Sequence, residues 1–463
     1  IFRQVCEYLT RTGADNITRP YLLEGWDASD DLKTWTLRVR KGVKWRKGRP
    51  FTAEDVVWNI KHVLDPATGS SVVGLMQGYM LKDVEKDGKK IPELWDANAI
   101  EKVDDYTVRL NCKEPQLAVA EHLFHYPFAI LDPEEGGKFA VGSNGTGAFD
   151  LVKHDVGKSA VLKARKDYWG TGPYLDTLIF TDLGDEAALT VAALAAHQVE
   201  GVLTAQPDML PALQKLGFCK MYKVDTSETD LVRVKVTEKP FDDPRVRKAM
   251  RLAIDSNLVL RISQGELGYV GEHHHVSPIH PEYAKLPPLK RDVEAAKKLL
   301  AEAGYPDGID STLTLSAEYQ SQNKAAQAMV QQWKEAGIRI KLNVIPGAQY
   351  WDVWTKVPMG CTNWSHRPLG VMLLGLAYRS GVPWNESGYS NPEFDRLLSK
   401  AEGILDPAKR REVMVELERI MQEDGPIIQP AWHTNFTFYD RRVQGYQMHP
   451  TNYIFGEQLA IEA

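Results

Sequence analysis

The chain has 463 residues, 43% of them hydrophobic and 25% charged, with a formal net charge of −6. That balance belongs to a globular protein of two or three domains, and it gives no basic excess for nucleic acid or an anionic membrane. The longest apolar run, residues 371–377, is far shorter than the roughly 18–20 residues of a membrane span.

The predicted elements begin with residues 33–40, Lys-Thr-Trp-Thr-Leu-Arg-Val-Arg, whose period of two indicates a half-buried strand. A basic turn follows over 41–48. Thr52 then opens a helix, with Asp55 placed as the acidic partner of a capping box and Val56, Val57, Ile60, Val63 and Leu64 at helical spacing. Asp65-Pro66 ends it. Residues 65–100, rich in Gly, Lys and Asp, predict surface loop with short helices. Residues 103–110 form a hairpin arm, and 121–125 read as helix, with Glu121, His122 and His125 on its surface. Gly142-Ser143-Asn144-Gly145-Thr146-Gly147 predicts a flexible crossing. Strands are expected at 149–152, 160–164 and 179–180, and an apolar helix at 186–197.

Residues 231–236 predict a strand in which charge alternates with aliphatic side chains, and Asp242-Asp243-Pro244 opens the next helix. The composition shift at Lys239-Pro240 marks a domain boundary. Beyond it come a helix at 292–303 closed by Gly304, a strand at 313–315, a helix at 324–336 closed by Gly337 and a strand at 338–344. This alternation indicates an α/β lobe with mostly parallel strands. Two further helices are expected at 392–401 and 409–422.

Enzyme motifs are missing: no G-x-S-x-G elbow, no phosphate loop, no G-x-G-x-x-G and no H-E-x-x-H. No cofactor is expected. Cys6, Cys112, Cys219 and Cys361 are far apart, which argues against structural zinc and leaves two disulfides open in an oxidising compartment. His273, His274 and His275, after Glu272 and near His280, form the one weak candidate for a metal, since imidazole suits nickel, zinc and copper. Adjacent side chains diverge along an extended chain, so the competing reading is a solvated loop. His274 is the member retained as a possible ligand contact.

Twelve tryptophans and eighteen tyrosines, many in polar turn-rich segments, predict an aromatic-lined ligand cleft. The turn Trp364-Ser365-His366-Arg367-Pro368-Leu369-Gly370 places a guanidinium, able to grip a carboxylate with two parallel bonds, three residues after an indole. Asn363, Trp364 and His366 add donors. Trp384, Asn385 and Glu386 offer a platform beside an amide and an acid. Tyr8, Asn144 and Trp351 complete the candidate ligand-binding set.

Tyr21-Leu22-Leu23-Glu24-Gly25-Trp26, residues 30–45 and Gly48-Arg49-Pro50-Phe51-Thr52-Ala53-Glu54-Asp55-Val56-Val57-Trp58 together resemble the signature of the family 5 extracytoplasmic solute-binding proteins, the peptide/opine/nickel class. Asn144-Gly145-Thr146-Gly147-Ala148-Phe149, Asp167-Tyr168-Trp169, Phe241-Asp242-Asp243-Pro244-Arg245-Val246-Arg247-Lys248-Ala249, residues 295–305 and 391–395 follow in the family's order. The resemblance departs before Ile1, where a signal peptide and a first strand are expected.

The resemblance implies an α/β two-lobe periplasmic-binding-protein clamshell of type II-like build. Lobe I would take 1–27, 146–238 and 434–463, an extra subdomain 28–145, and lobe II 239–433. It implies a monomer outside the cytoplasm that encloses a small ligand between its lobes, docks on an ABC permease and performs no catalysis. Peptide-binding members resemble W-x-x-D-x-x-D-P at the turn, with the aspartate pairing a ligand amine. Here that position is Arg367. The expected solute is therefore an organic compound bearing a carboxylate: an opine, an amino-acid conjugate or a sugar acid. Nickel or metal-chelate binding and oligopeptide binding are the alternatives, and a small-amide hydrolase is a remote one.

Overall fold

The computed structural model describes every residue except Asp87, Asp185, Glu266 and Ala463, with backbone alone at Lys89 and Lys90. Two compact units result. The first takes Ile1–Ala205, Met209–Tyr222 and Phe436–Ala463, and the second takes Gln206–Asp208 and Lys223–Asn435.

In the first unit, β1 (Leu23–Ala28), β2 (Thr34–Val39), β3 (Ile100–Asp104) and β4 (Thr107–Asn111) form an antiparallel sheet of order β1-β2-β4-β3. Along β2 the residues Trp35, Leu37 and Val39 are buried, as the period of two requires. Helix α1 (Ala53–Leu64) starts at Thr52 with the capping box made by Asp55, and buries Val56, Ile60, Val63 and Leu64. A second antiparallel sheet holds β5 (Phe149–Asp155), β6 (Ser159–Ala164) and β7 (Thr177–Thr181).

Three expectations for this unit are corrected. Residues 65–100 are not mainly loop. They contain a helix, Val72–Met80, whose apolar side chains are mostly buried, and a hairpin of Leu81–Lys86 with Lys89–Leu94. His122 and His125 are not surface residues. His122 bonds the Tyr79 hydroxyl at 2.8 Å and His125 the Ser71 hydroxyl at 3.0 Å, and burial pushes the His122 pKa down to about 3.

The Gly142–Gly147 segment is likewise packed rather than loose. Asn144 and Thr146 are buried, and the Gly147 amide donates to the Val5 carbonyl at 2.9 Å. A Cβ on Gly145 would lie 1.9 Å from that carbonyl oxygen, so only glycine fits the approach.

The second unit is built on a five-stranded mixed sheet. It comprises β8 (Thr229–Val234), β9 (Ile309–Ser316), β10 (Ile338–Ile345), β11 (Met359–Trp364) and β12 (Ile427–Ile428), in the order β10-β9-β11-β8-β12. β9 runs parallel to β10 and β11, while β8 runs antiparallel to β11 and β12. Helices α2 (Pro244–Leu252), α3 (Val293–Glu302) and α4 (Gln320–Glu335) supply Val246, Met250, Leu300, Met329 and Trp333 to a core shared with Val232, Leu313 and Leu315. Asp243 and Asp292 cap α2 and α3 through their side chains. The apolar run becomes α5 (Gly370–Tyr378), buried along its whole length.

Strand β8 lies inside this sheet, so the second unit begins upstream of the expected 239. Every residue from Thr229 to Val234 is buried, the charged ones included.

Gly145→Ala should destabilise the protein by about 1–3 kcal/mol, the usual cost of overpacking. Gly217→Ala, where a Cβ meets nothing within 4 Å, should stay within about 0.5 kcal/mol. Chemical denaturation of both variants checks the contrast, and equal effects would refute it.

Candidate functional site

The antiparallel register of β8 and β11 sets Asp230 opposite Asn363 and Thr229 opposite Trp364. The start of one strand and the end of the other thus meet at the Trp364 turn. The Asn363 amide donates to Glu228 Oε1 and to Asp230 Oδ1, both at 3.1 Å. His433 lies 3.1 Å from Asp230 Oδ2 through Nε2, and 3.7 Å from Glu228 Oε1 through Nδ1. Asn435 donates to Glu228 Oε2 at 2.9 Å, and Ser321 to Asp230 Oδ2 at 3.3 Å. Burial works to strip the proton from His433. Asp230 and then Glu228 overcome it and hold the imidazolium with a pKa raised to about 10. Burial alone would raise Glu228, but His433, Asn435 and Asn363 hold it below the usual carboxylate range.

The turn is fastened to the same strand end. The Ser227 amide donates to His366 Nδ1 at 3.0 Å, and the Arg367 amide donates to Ser227 Oγ at 2.9 Å. The Arg367 carbonyl accepts from Ser227 Oγ at 2.8 Å and from His280 Nε2 at 3.0 Å. The buried Arg367 guanidinium donates through Nη1 to the carbonyls of Ser365 and His366, at 3.0 and 2.9 Å. Its charge is therefore fixed over its own turn.

Trp364 is a buried wall. Its indole donates to Glu386 Oε1 at 2.8 Å. Rings follow one another from Trp364 to Trp384 (6.0 Å), Trp354 (6.1 Å) and Trp351 (5.7 Å), and Trp351 ends the series 41% exposed.

Several predicted ligand contacts are occupied within the fold. Glu386 also accepts from Thr362 Oγ1 at 2.7 Å and pairs with Arg233 Nε at 3.1 Å, with both charged side chains almost wholly buried. Asn385 is a turn organiser: its amide donates to the carbonyls of Tyr389 (2.7 Å) and Arg379 (3.1 Å), and its oxygen accepts from Ser387 Oγ and the Tyr389 amide. Tyr8 and Asn144 belong to the first unit. The Tyr8 hydroxyl donates to the Tyr126 carbonyl at 2.9 Å, while Asn144 accepts from the Lys47 amide and donates to Asp132.

The three histidines form neither a solvated loop nor a metal cage. All are buried. His273 accepts from the Gln429 amide at 3.0 Å, His274 lies 3.4 and 3.6 Å from Glu272 and Glu418, and His275 bonds the Tyr378 hydroxyl at 2.5 Å. His273 and His275 both have φ of 62° and serve separate partners. Among the described residues, no group of three or more His, Cys, Asp or Glu side chains is arranged to hold a metal. The four cysteines are free and buried.

Glu228, Asp230, His433 and Asn435 were not anticipated. Ser-Glu-Thr-Asp and Trp-His-Thr-Asn match no motif, and only the fold brings them together. Their one signal in the sequence is acidic residues entering a strand destined for the core.

A chain of this architecture is a periplasmic binding protein by fold. It aligns over 99% of its length with the binding protein DppA of Helicobacter pylori in complex with the peptide STSA, at 21% identity, 93% coverage of that chain and a TM-score of 0.86. AgaA of A. tumefaciens R10 in complex with agropinic acid gives 21% identity, 99% and 93% coverage and a TM-score of 0.86. NikA of Staphylococcus aureus in complex with Ni(L-His)2 gives 18%, 99% and 94%, and 0.83. The periplasmic oligopeptide-binding protein OppA of Haemophilus influenzae is 25% identical across 99% of this chain and 88% of its own. The glutathione-binding protein GsiB of Escherichia coli is 24% identical across 93% and 83%. The chain belongs to the bacterial extracellular solute-binding proteins, family 5, whose pattern matches residues 18–373. It is thus a substrate-binding protein of the ABC-transporter class.

Two outcomes follow. Arg233→Ala leaves Glu386 charged and buried without its cation, and should cost about 3–5 kcal/mol in urea unfolding. Arg233→Met with Glu386→Gln should cost less, and a larger loss for the pair would contradict the account. The second outcome concerns His433. Its folded pKa of about 10 lies above the roughly 6.5 of a free imidazole. The stabilisation is therefore full below about pH 6.5 and lost as pH rises through 10. Unfolding measured from pH 6 to 10.5 should show native stability falling towards that of His433→Gln, and a constant gap would refute the charged state.

Proposed function

We propose that this protein captures a small organic solute bearing a carboxylate, of the opine, amino-acid conjugate or sugar-acid kind. It then delivers the solute, as an exported monomer, to an ABC permease. One observation carries the reading: the position three after Trp364 is a buried arginine whose backbone is held on both sides by Ser227 and whose Nη1 is held by two carbonyls. A guanidinium fixed this way meets a carboxylate without first being ordered. A ligand ammonium brought to the same place would meet a like charge, at a cost of several kcal/mol if desolvated.

AgaA is in complex with agropinic acid and GsiB is named for glutathione, and both compounds carry carboxylates, which agrees with this reading. A metal chelate is the less favoured ligand, since His273, His274 and His275 each serve a different partner within the fold. Binding without turnover is the expected activity.

Calorimetry with agropinic acid and with glutathione should show binding by at least one of them. Arg367→Ala should weaken it about 10- to 100-fold, the worth of a charge-assisted hydrogen bond of about 1.5–3 kcal/mol. Unchanged affinity in the variant would sink the proposal, as would recovery of either compound in cleaved form.

A further inference from the structure

We propose that Glu418 and His274 form a buried proton latch that holds the loop of residues 271–284 on its neighbouring helix, and that removing the proton at alkaline pH releases the loop. Such a latch acts whatever the solute.

The loop is fastened to helix α6 (Pro407–Glu423). The Ala284 amide donates to Glu418 Oε1 at 3.0 Å, and the Gln422 side chain donates to the Glu272 carbonyl at 2.9 Å. Arg411 donates to the carbonyls of Pro281 and Tyr283 at 2.7 and 2.9 Å. Among these contacts, His274 Nε2 stands 3.4 Å from Glu272 Oε2 and 3.6 Å from Glu418 Oε2. The side chains of His274 and Glu418 expose no surface, whereas Glu272 keeps 14%. Neither His274 Nε2 nor Glu418 Oε2 completes a hydrogen bond among the described residues.

A count of protons sets the state of this group. His274 Nδ1 accepts from the Val276 amide at 3.2 Å, which places the ring proton on Nε2. One N–H thus stands before two carboxyl groups. Two buried anions beside one atom would repel each other and lose their hydration, so one carboxyl keeps its proton. Glu272 is the anion, since it reaches solvent and accepts from the Tyr283 hydroxyl at 2.6 Å. Glu418 is the acid. The nearby guanidinium groups are engaged elsewhere, Arg410 with Glu282 at 3.3 Å and Arg411 with its two carbonyls. Glu282 adds negative charge near Glu418, Lys285 lies towards Glu272, and His273, His275 and His280 surround His274. Burial, and then Glu272 and Glu282, push the Glu418 pKa up to about 9. Burial works the same way on Glu272, but His274 and Tyr283 hold it below the usual carboxylate range.

The latch reaches the Trp364 turn through the loop it holds. His280 bonds the Arg367 carbonyl at 3.0 Å, and Glu282 accepts the Val371 amide at 3.1 Å. An ionised Glu418 would be a second anion beside Glu272 with no cation bonded to it, and lifting the loop lets water reach both. An exposed glutamate gives up its proton near pH 4.3, roughly, and Glu418 in the folded chain at about 9. The stability this group contributes is therefore full below about pH 4.3 and is lost as pH rises to about 9.

The test compares the full chain with Glu418→Gln, which copies the protonated acid. In urea unfolding between about pH 5 and about pH 9, the folding constant of the wild-type chain should fall relative to the variant by about tenfold per pH unit. A ratio that stays constant with pH overturns the latch. Hydrogen exchange, corrected for base catalysis, reads the release of the loop. The amides of Ser277, Ala284 and Val371 should exchange faster as pH rises from about 7 to about 9.5 in the wild-type chain and keep their rates in Glu418→Gln. Equal quickening in both proteins, or quickening shared by the amides of β9, overturns the release. The wild-type exchange decides alone where the variant fails to fold, since loop amides that follow base catalysis throughout sink the proposal.

Discussion

A charge on a central strand cannot be left alone, and the second unit is organised around satisfying one. Arg233 is the fifth of the six residues of β8 and has no exposed side-chain surface. Taking a guanidinium out of water costs several kcal/mol unless it is paired and its donors are filled. Here Glu386 supplies the counter-charge, and the carbonyls of Trp354 and Val357 take the remaining reach of the fork. Glu386 in turn draws in Thr362 and Trp364 of β11. One ion pair therefore fixes the 380–390 loop, the end of the tryptophan series and the end of the strand that carries the candidate site. The residue that looked like a ligand contact supports that site from behind.

The same logic applies to the buried loop of residues 271–284. His280 holds the Arg367 carbonyl, and Glu282 accepts the Val371 amide at the start of α5 while pairing with buried Arg410. Both ends of the turn are thereby tied to residues that titrate or carry charge but face no solvent. A turn rich in Pro and Gly would otherwise move freely. Here its backbone groups are satisfied by side chains from two other segments, so its conformation is set before any solute arrives.

Local signals in the sequence were reliable where the physics was local. Thr52 with Asp55, Asp243 before Pro244, and Gly304 and Gly337 after their helices all mark ends that the structure keeps, because caps and left-handed glycines act over a few residues. The reading failed where a distant partner changed the meaning of a residue. Charge alternating along β8 gives no sign that Arg233 is fully buried, since its partner Glu386 lies far along the chain. The histidine run suggests solvent or a metal only until Gln429, Glu418 and Tyr378 are placed against it. The Trp364 turn stands out in the sequence by its own residues, Trp364, His366 and Arg367. The carboxylates beside it were not, since Glu228 and His433 come together only when β8 and the strand after residue 430 are both in place.

This distribution of legibility explains how one fold serves peptides, opines and metal complexes. The elements that define the architecture are written in short-range patterns, and relatives near a quarter identity match the chain over 93–99% of its length. The turn after β11 is a different matter, since a single side chain there can change charge without disturbing a cap or a core position. Such a reversal is tolerated only if the new charge finds support. Arg367 finds part of it in the carbonyls of Ser365 and His366 in its own turn. Arg233, inside β8, is instead paired with the buried carboxylate of Glu386.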